Sequence, residues 1–135
     1  MHEILRDALE PILRDIATLR APAPMLRDEN WTNDPTTAAA RAWSLDGTGT
    51  GIYVSLNAPE PERIAAIAEQ VQEWIIEQQW GTSASNWPPC PTHPDTHPLQ
   101  VRMHDDRATW TCPTDGTSFW RVGSIPRPGD ESPLP

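Results

Sequence analysis

Both cysteines of this chain and three of its four histidines lie between residues 86 and 116. Each cysteine opens a short motif, Cys-Pro-Thr-His at residue 90 and Cys-Pro-Thr-Asp at residue 112. A Cys-Pro turn can direct a thiolate and a second ligand at one point while it leaves backbone N–H groups free to hydrogen-bond the sulfur. Two such turns joined by a hairpin can close a tetrahedral site. The pattern therefore predicts a pair of zinc knuckles.

Four ligands must be chosen from five candidates, of which Cys90, His93 and Cys112 belong to every sensible set. The fourth ligand is His97 or Asp115. His97 follows His93 by four residues, a spacing that lets two imidazoles on one helical turn meet a metal. An Asp-Gly pair is equally typical of an ordinary turn. We favour His97, with Asp115 accepting a hydrogen bond from a ligand imidazole N–H.

Two other interpretations of the cysteines stay open at this point. Cys90 and Cys112 could form a disulfide, or they could be unrelated buried thiols near solvent-exposed histidines. Two cysteines beside histidines in a chain of this length fit a reducing compartment and a metal better than a secreted disulfide framework. We therefore predict a cytoplasmic protein whose cofactor is zinc.

Short strands are predicted at residues 99–103 and 109–111, so the second knuckle directly follows a hairpin. The sequence CPTH, a hairpin and then CPTDG resembles the zinc-ribbon pattern CPxC, hairpin, CPxCG. In that resemblance His93 and Asp115 stand where the second cysteine of each knuckle would be. The motif W-P-x-C-P-x-H-x3-H-P-L, followed by W-x-C-P, also resembles small uncharacterised proteins of actinobacteria. This second resemblance covers about a third of the chain and implies no activity.

The elements that must position this site begin with an amphipathic segment. Residues 3–20, EILRDALEPILRDIATLR, place Ile, Leu and Ala at helical spacing, with Arg, Asp and Glu on the other face. Pro11 removes a helical hydrogen bond, so we expect a kink, or two short helices that meet there. The helix either packs on its own domain or is a dimerising or partner-docking helix.

A β-hairpin is predicted over residues 41–57, where Trp43 and Leu45 alternate on the first strand. Its turn, DGTGTG, is not followed by a helix or by GK[ST], so it does not predict a phosphate-binding loop. Residues 62–80 then carry an apolar stripe with Glu and Gln opposite, which predicts a helix that ends near Gly81.

Together these patterns predict an α+β fold: an N-terminal amphipathic helix, a β-hairpin with a covering helix, and a C-terminal zinc-ribbon-like hairpin module. The predicted units are residues 1–22, 23–83 and 84–125. Residues 126–135 are rich in proline and polar side chains, and we expect a flexible tail there.

Composition limits the choice of partners. The net charge is −9, and all ten basic residues are arginine. Nucleic-acid binding depends on clustered positive charge, so the acidic excess argues against it. No run of 18 apolar residues occurs, and we therefore predict no membrane span. A basic segment followed by an apolar one is also missing at the N-terminus, so we do not expect export.

Our first functional hypothesis is a non-enzymatic interaction or adaptor module whose closed metal site holds the fold. Its partner would be a protein, or a second copy bound through the N-terminal helix. The alternative is a metal-dependent hydrolase in which Cys90, His93 and Cys112 leave one coordination position for water. Asp115 or Asp106 would then be the general base.

A third hypothesis is nucleic-acid binding through the hairpin module. It would depend on Arg102, Arg107 and Arg121 beside Trp110 and Trp120. The sequence shows no Ser/His/Asp order, lysine nucleophile or dinucleotide fingerprint. We therefore assign no catalytic or organic-cofactor residues.

Overall fold

The computed structural model describes residues 1–80 and 86–128 of the chain. Those residues form two helices and eight strands, which confirms the predicted α+β class. The helices are α1 (Glu3–Leu19) and α2 (Glu60–Gln78). The strands are β1 (Met25–Asp28), β2 (Thr37–Trp43), β3 (Gly49–Ser55), β4 (Pro89–Cys90), β5 (His93–Pro98), β6 (Gln100–His104), β7 (Arg107–Thr111) and β8 (Ser118–Arg121). They make three antiparallel sheets, ordered β1-β2-β3, β4-β5 and β6-β7-β8.

Helix α1 is continuous through Pro11, so the alternative of two short helices is wrong, while the kink at Pro11 stays a prediction. It begins where the Nδ1 atom of His2 accepts the Ile4 N–H at 3.1 Å, and it ends at Arg20 in a left-handed conformation. Pro11 lies against Gly123, where an added Cβ would come within 2.8 Å of the proline Cβ. This close approach of α1 to the chain after β8 therefore requires glycine. The apolar stripe of α1 is buried in the protein's own core.

The β2-β3 hairpin confirms the hairpin predicted over residues 41–57, although its first strand begins earlier, at Thr37. Ala40 pairs with Ile52, and both are buried. Leu45 was expected on the first strand, but β2 ends at Trp43 and Leu45 is fully exposed in the turn. Strand β1, which pairs with β2, was not predicted.

Helix α2 confirms the predicted second helix. Pro61 lies in its first turn, where the N–H that proline lacks would have no partner within the helix. Its main buried residues are Ile67, Ala68, Val71, Trp74 and Ile75. Gln70 also pairs with the free edge of β3: it accepts the Tyr53 N–H at 3.0 Å and donates to the Tyr53 carbonyl at 2.8 Å. The helix therefore covers one face of the first sheet and part of its edge.

The segment that carries the candidate ligands packs into the same hydrophobic core as both helices and the first sheet. Cys90 and Cys112 belong to one buried cluster with residues of α1, α2 and β2. Trp87 and Trp110 are buried beside the knuckles, and their rings meet edge to face at a centroid distance of 5.9 Å. The predicted helix end at Gly81 and residues 129–135 of the predicted tail lie outside the described residues.

Candidate metal centre

The first knuckle is the turn between β4 and β5, where Cys90 pairs with His93. The backbone N–H groups of Thr92 and His93 hydrogen-bond the Cys90 sulfur, and the Thr92 hydroxyl lies 3.3 Å from it. N–H groups directed at sulfur stabilise a thiolate and fix its orientation. The predicted knuckle geometry is therefore present at Cys90.

His97 reaches the same point from an extended segment, so the helical turn expected for the two histidines is wrong. Pro89 pairs with Pro98. The next residue, Cys90, already pairs with His93, so the four residues before Pro98 bulge out of the ladder. The bulge returns the chain toward the knuckle and leaves the His93 and His97 ring centroids 4.9 Å apart.

The second knuckle is the turn between β7 and β8, which Cys112 opens. The Gly116 N–H donates to the Cys112 carbonyl at 2.9 Å, and the Cys112 N–H donates to the Thr117 carbonyl at 2.8 Å. Gly116 has a φ of 77°, a conformation that glycine adopts without strain. The tight turn fixes the backbone of Cys112 while its buried side chain meets the first knuckle.

The two sulfurs and one ring nitrogen of each histidine all lie within 4.8 Å of one another. The Nδ1 atom of His93 is 3.7 Å from the sulfurs of Cys90 and Cys112, and the Nε2 atom of His97 is 4.0 Å from the Cys112 sulfur. Tetrahedral zinc, with bonds of about 2.3 Å to sulfur and about 2.05 Å to nitrogen, would separate these atoms by about 3.6 Å. The four residues therefore lie close enough together to hold a metal ion.

Each imidazole presents one nitrogen to this cluster. The Nδ1 atom of His97 lies 3.1 Å from the Pro98 carbonyl, so it is the N–H donor and the Nε2 lone pair faces the sulfurs. For His93 the atom that faces the sulfurs is Nδ1. The hydroxyls of Thr92 and Thr114 contact these two cluster-facing nitrogens at 3.0 and 3.1 Å. The Pro98 carbonyl thus orients the His97 ring, while the two hydroxyls contact the nitrogens that a metal ion would bind.

Asp115 lies beside the cluster but does not belong to it. Its Oδ1 atom accepts the Thr117 N–H at 2.9 Å. This bond lowers the pKa of the exposed carboxyl, with help from the Thr117 and Cys112 side chains. The hydrogen bonds that lower its pKa involve Thr117 and the Cys112 side chain, and the hydrogen bond from a ligand imidazole stays a prediction. The structure thus groups His97, and not Asp115, with the other three candidates.

Both cysteines are buried free thiols, not a disulfide. Burial acts to raise the pKa of the Cys90 thiol, but hydrogen bonds from the side chains and backbone N–H groups of Thr92 and His93 outweigh it and lower the pKa to about 6. A thiol with this pKa is mostly thiolate at neutral pH, and thiolate is the form that binds a metal.

Gln72 of α2 supports the first knuckle, and sequence reasoning missed it. Its Nε2 atom donates to the Trp87 carbonyl at 3.1 Å and to the Leu99 carbonyl at 2.6 Å. These two residues flank the β4-β5 hairpin. Gln72 lies four residues after Ala68 and three before Ile75, both buried, and this spacing could have identified it.

Asp15 of α1 supports the second knuckle. The sequence pattern predicts the acidic residues of α1 on its exposed face, but Asp15 is buried. Its buried carboxylate accepts hydrogen bonds from Trp110 Nε1 at 2.8 Å and from the Gly123 and Ile125 N–H groups at 2.6 and 3.1 Å. Burial raises the pKa of Asp15 more than these bonds lower it. Because Trp110 lies on β7 and precedes Cys112 by two residues, Asp15 connects α1 to the strand that leads into the second knuckle.

Asp106, considered as a general base, lies in the turn between β6 and β7 with a φ of 60°. Cys112 follows the other end of β7. Five strand residues span about 17 Å, so this carboxylate is remote from the cluster.

Comparisons with models of protein families, with curated proteins and with solved structures find no match to this chain. Among the described residues, neither helix has the length and hydropathy needed to cross a bilayer. The function must therefore be inferred from the site itself.

Proposed function

We propose that Cys90, His93, His97 and Cys112 bind one zinc ion in a closed structural site. The observation that carries this proposal is the convergence of two buried sulfurs and two imidazole nitrogens within 4.8 Å. Two thiolates and two imidazoles suit zinc, whereas harder cations prefer oxygen ligands. Bound there, zinc would supply four bonds that join the two knuckles.

A structural role is favoured over hydrolysis by the position of His97. Catalytic zinc sites keep one coordination position for water, while structural sites fill all four with protein ligands. The Nε2 atom of His97 faces the Cys112 sulfur at 4.0 Å and would occupy the position that a hydrolase needs free. Of the two general bases considered, Asp106 is at the far end of β7, and Asp115 lies beside the cluster but would have no metal-bound water to act on when His97 is a ligand. We therefore propose no enzymatic role.

We further propose that the protein acts as an interaction module whose metal site is internal and whose surface binds a protein partner. The apolar stripe of α1 is buried against the rest of the chain, which removes the support for docking or dimerisation through that helix. The partner surface is then expected elsewhere on the fold.

The test is zinc content by inductively coupled plasma mass spectrometry on the wild type, His97→Ala and Asp115→Ala. We expect one zinc per chain in the wild type and in Asp115→Ala, and a loss of zinc affinity of at least about 10-fold in His97→Ala. Chelation should lower the unfolding temperature of the wild type, because zinc bound only to the folded state stabilises it.

Two outcomes would contradict the proposal. An unchanged zinc affinity in His97→Ala, measured by competition with a chromophoric chelator, would indicate an open, exchangeable fourth position and favour the hydrolase hypothesis. Wild-type protein without metal, with Cys90 and Cys112 joined in a disulfide, would remove the site altogether.

A further inference from the structure

The sheet β6-β7-β8 has one face in the core and one face directed outward. Val101 and Trp110 are paired neighbours and are both buried, so they belong to the core face. Directly paired residues of antiparallel strands share a face, and successive residues alternate between faces. The outward face, called here the arginine face, carries the exposed residues Gln100, Arg102, His104, Arg107 and Arg121, with the buried Thr109 and Thr111 on its central strand.

The arginine face concentrates unpaired positive charge in an acidic protein. Arg102, Arg107 and Arg121 are all exposed, and among the described residues none of them forms an ion pair with a carboxylate. The Arg102 guanidinium donates to the neutral Gln100 side chain at 3.0 Å. No strand position of this face carries an acid, and Asp105 and Asp106 lie beyond it in the turn. Three cations are therefore free to meet an external anion.

The spacing of these cations limits the shape of that anion. Arg102 and Arg121 both pair with Thr109, one from each side, so their Cα atoms are about 10 Å apart across two strand intervals. A guanidinium forms paired hydrogen bonds with a planar carboxylate. In an extended chain, alternate side chains point the same way and are about 7 Å apart, so two of their carboxylates are within reach of two long arginine side chains. We propose that the arginine face docks an extended acidic segment of a partner protein, which deepens and rests on the interaction role proposed above.

A nucleic acid fits this face less well than an acidic peptide. Duplex DNA carries a charge about every 1.7 Å along its axis, and the 19 acidic residues of the chain would repel so long a polyanion. Recognition of single strands relies on exposed aromatic rings. Trp110 is buried, and Trp120 pairs with it on the core face, so neither tryptophan lies beside the arginines as the sequence hypothesis required.

The test is fluorescence anisotropy with the zinc-loaded full chain and a labelled peptide of alternating Glu and Ser. The variant carries Arg102→Gln and Arg121→Gln. A matched control with the same net charge carries Arg6→Gln and Arg127→Gln, which are exposed arginines outside the arginine face. We expect the first pair to weaken peptide binding at least about 10-fold and the control pair to leave it nearly unchanged. A peptide with Gln in place of Glu should not bind.

Several results would overturn the inference. Equal losses in both double variants would show a diffuse charge effect, and preferential binding of an oligonucleotide would make the ligand a nucleic acid. Self-association in sedimentation velocity, abolished by the Arg102 and Arg121 changes, would make the occupant a second copy. Absence of peptide binding by folded, zinc-loaded protein would overturn this inference alone, whereas a wild type without zinc would overturn the proposed metal site.

Discussion

Three of the four proposed ligands have a neighbour that holds their side chain in place. Thr92 contacts both the Cys90 sulfur and the His93 ring, and the Pro98 carbonyl accepts from His97. Side chains held in this way lose little conformational freedom when an ion binds. The side chains of Cys90, His93 and His97 would therefore already be in place before a metal ion binds.

Asp15 gives the sharpest single-residue prediction. We expect Asp15→Asn to lower the free energy of unfolding by about 2–3 kcal/mol at neutral pH, because an amide can no longer accept from all three N–H donors. Chemical denaturation of the zinc-loaded protein measures the change. Asp7→Asn is the matched control, since Asp7 is exposed on the same helix. Equal unfolding free energies for the two variants would contradict this role for Asp15.

The cost of Asp15→Asn should also depend on pH. Burial raises the pKa of Asp15 in the folded state, so the folded protein holds this proton more tightly than the unfolded chain does. The resulting stabilisation is complete below the unfolded pKa and is lost as pH rises through the folded value. The substitution should therefore cost more near pH 4 than near pH 7, and the opposite trend would contradict the raised pKa.

The clustering of Cys90, His93, His97 and Cys112 could be predicted because cysteine and histidine are few in this chain and their spacing has chemical meaning. Asp15 and Gln72 were not predicted, because charge and amide groups usually indicate exposure. Asp15 lies seven residues after the buried Ala8, so its helical position indicates the core face. Both polar side chains are buried because they lie on the core face of their helix and find hydrogen-bond partners there, N–H groups for Asp15 and carbonyl groups for Gln72.

At the scale of elements, the knuckles are turns held in place by their neighbours. Helix α2 fixes the first knuckle through Gln72, whose amide meets the carbonyls of Trp87 and Leu99 on either side of the β4-β5 hairpin. The two-residue strand β4 is too short to fix the first knuckle by its own ladder. The helix therefore supports the candidate metal centre without contributing a residue to its Cys/His cluster.

We expect Gln72→Ala to lower the free energy of unfolding by about 2 kcal/mol, because two buried carbonyls lose their donor. Zinc affinity, measured by competition with a chromophoric chelator, should fall as well. Gln78→Ala, on the exposed surface of the same helix, is the control and should change neither quantity. Unchanged affinity in a destabilised Gln72→Ala protein would show that α2 supports the fold without positioning the knuckle.

Elements with strong periodicity, such as α2 and the β2-β3 hairpin, were predicted from sequence. Strand β5 could not be, since it contains Pro94 and Pro98, and proline normally argues against a paired strand. Proline is tolerated in β5 because the strand pairs with β4 only at its two ends, His93 and Pro98, and bulges between them. Strand β1 has only four residues and follows a proline-rich segment, so it carried too little pattern to be recognised.

At the scale of the whole molecule, the two cysteines of the candidate metal site are also part of the hydrophobic core. The buried cluster includes both thiols together with residues of α1, α2 and the first sheet. Loss of the metal would leave two thiols and two imidazoles facing one another without a shared partner, inside or at the edge of that core. Metal binding and global stability are therefore expected to be linked.

The central claim is that one zinc ion is held by two sulfurs and two imidazole nitrogens. X-ray absorption spectroscopy at the zinc edge of the purified protein tests it most directly. We predict two sulfur neighbours at about 2.3 Å and two nitrogen neighbours at about 2.0 Å, with the outer-shell scattering of imidazole rings. A first shell with a single imidazole and an oxygen ligand from water or a carboxylate would contradict the closed site.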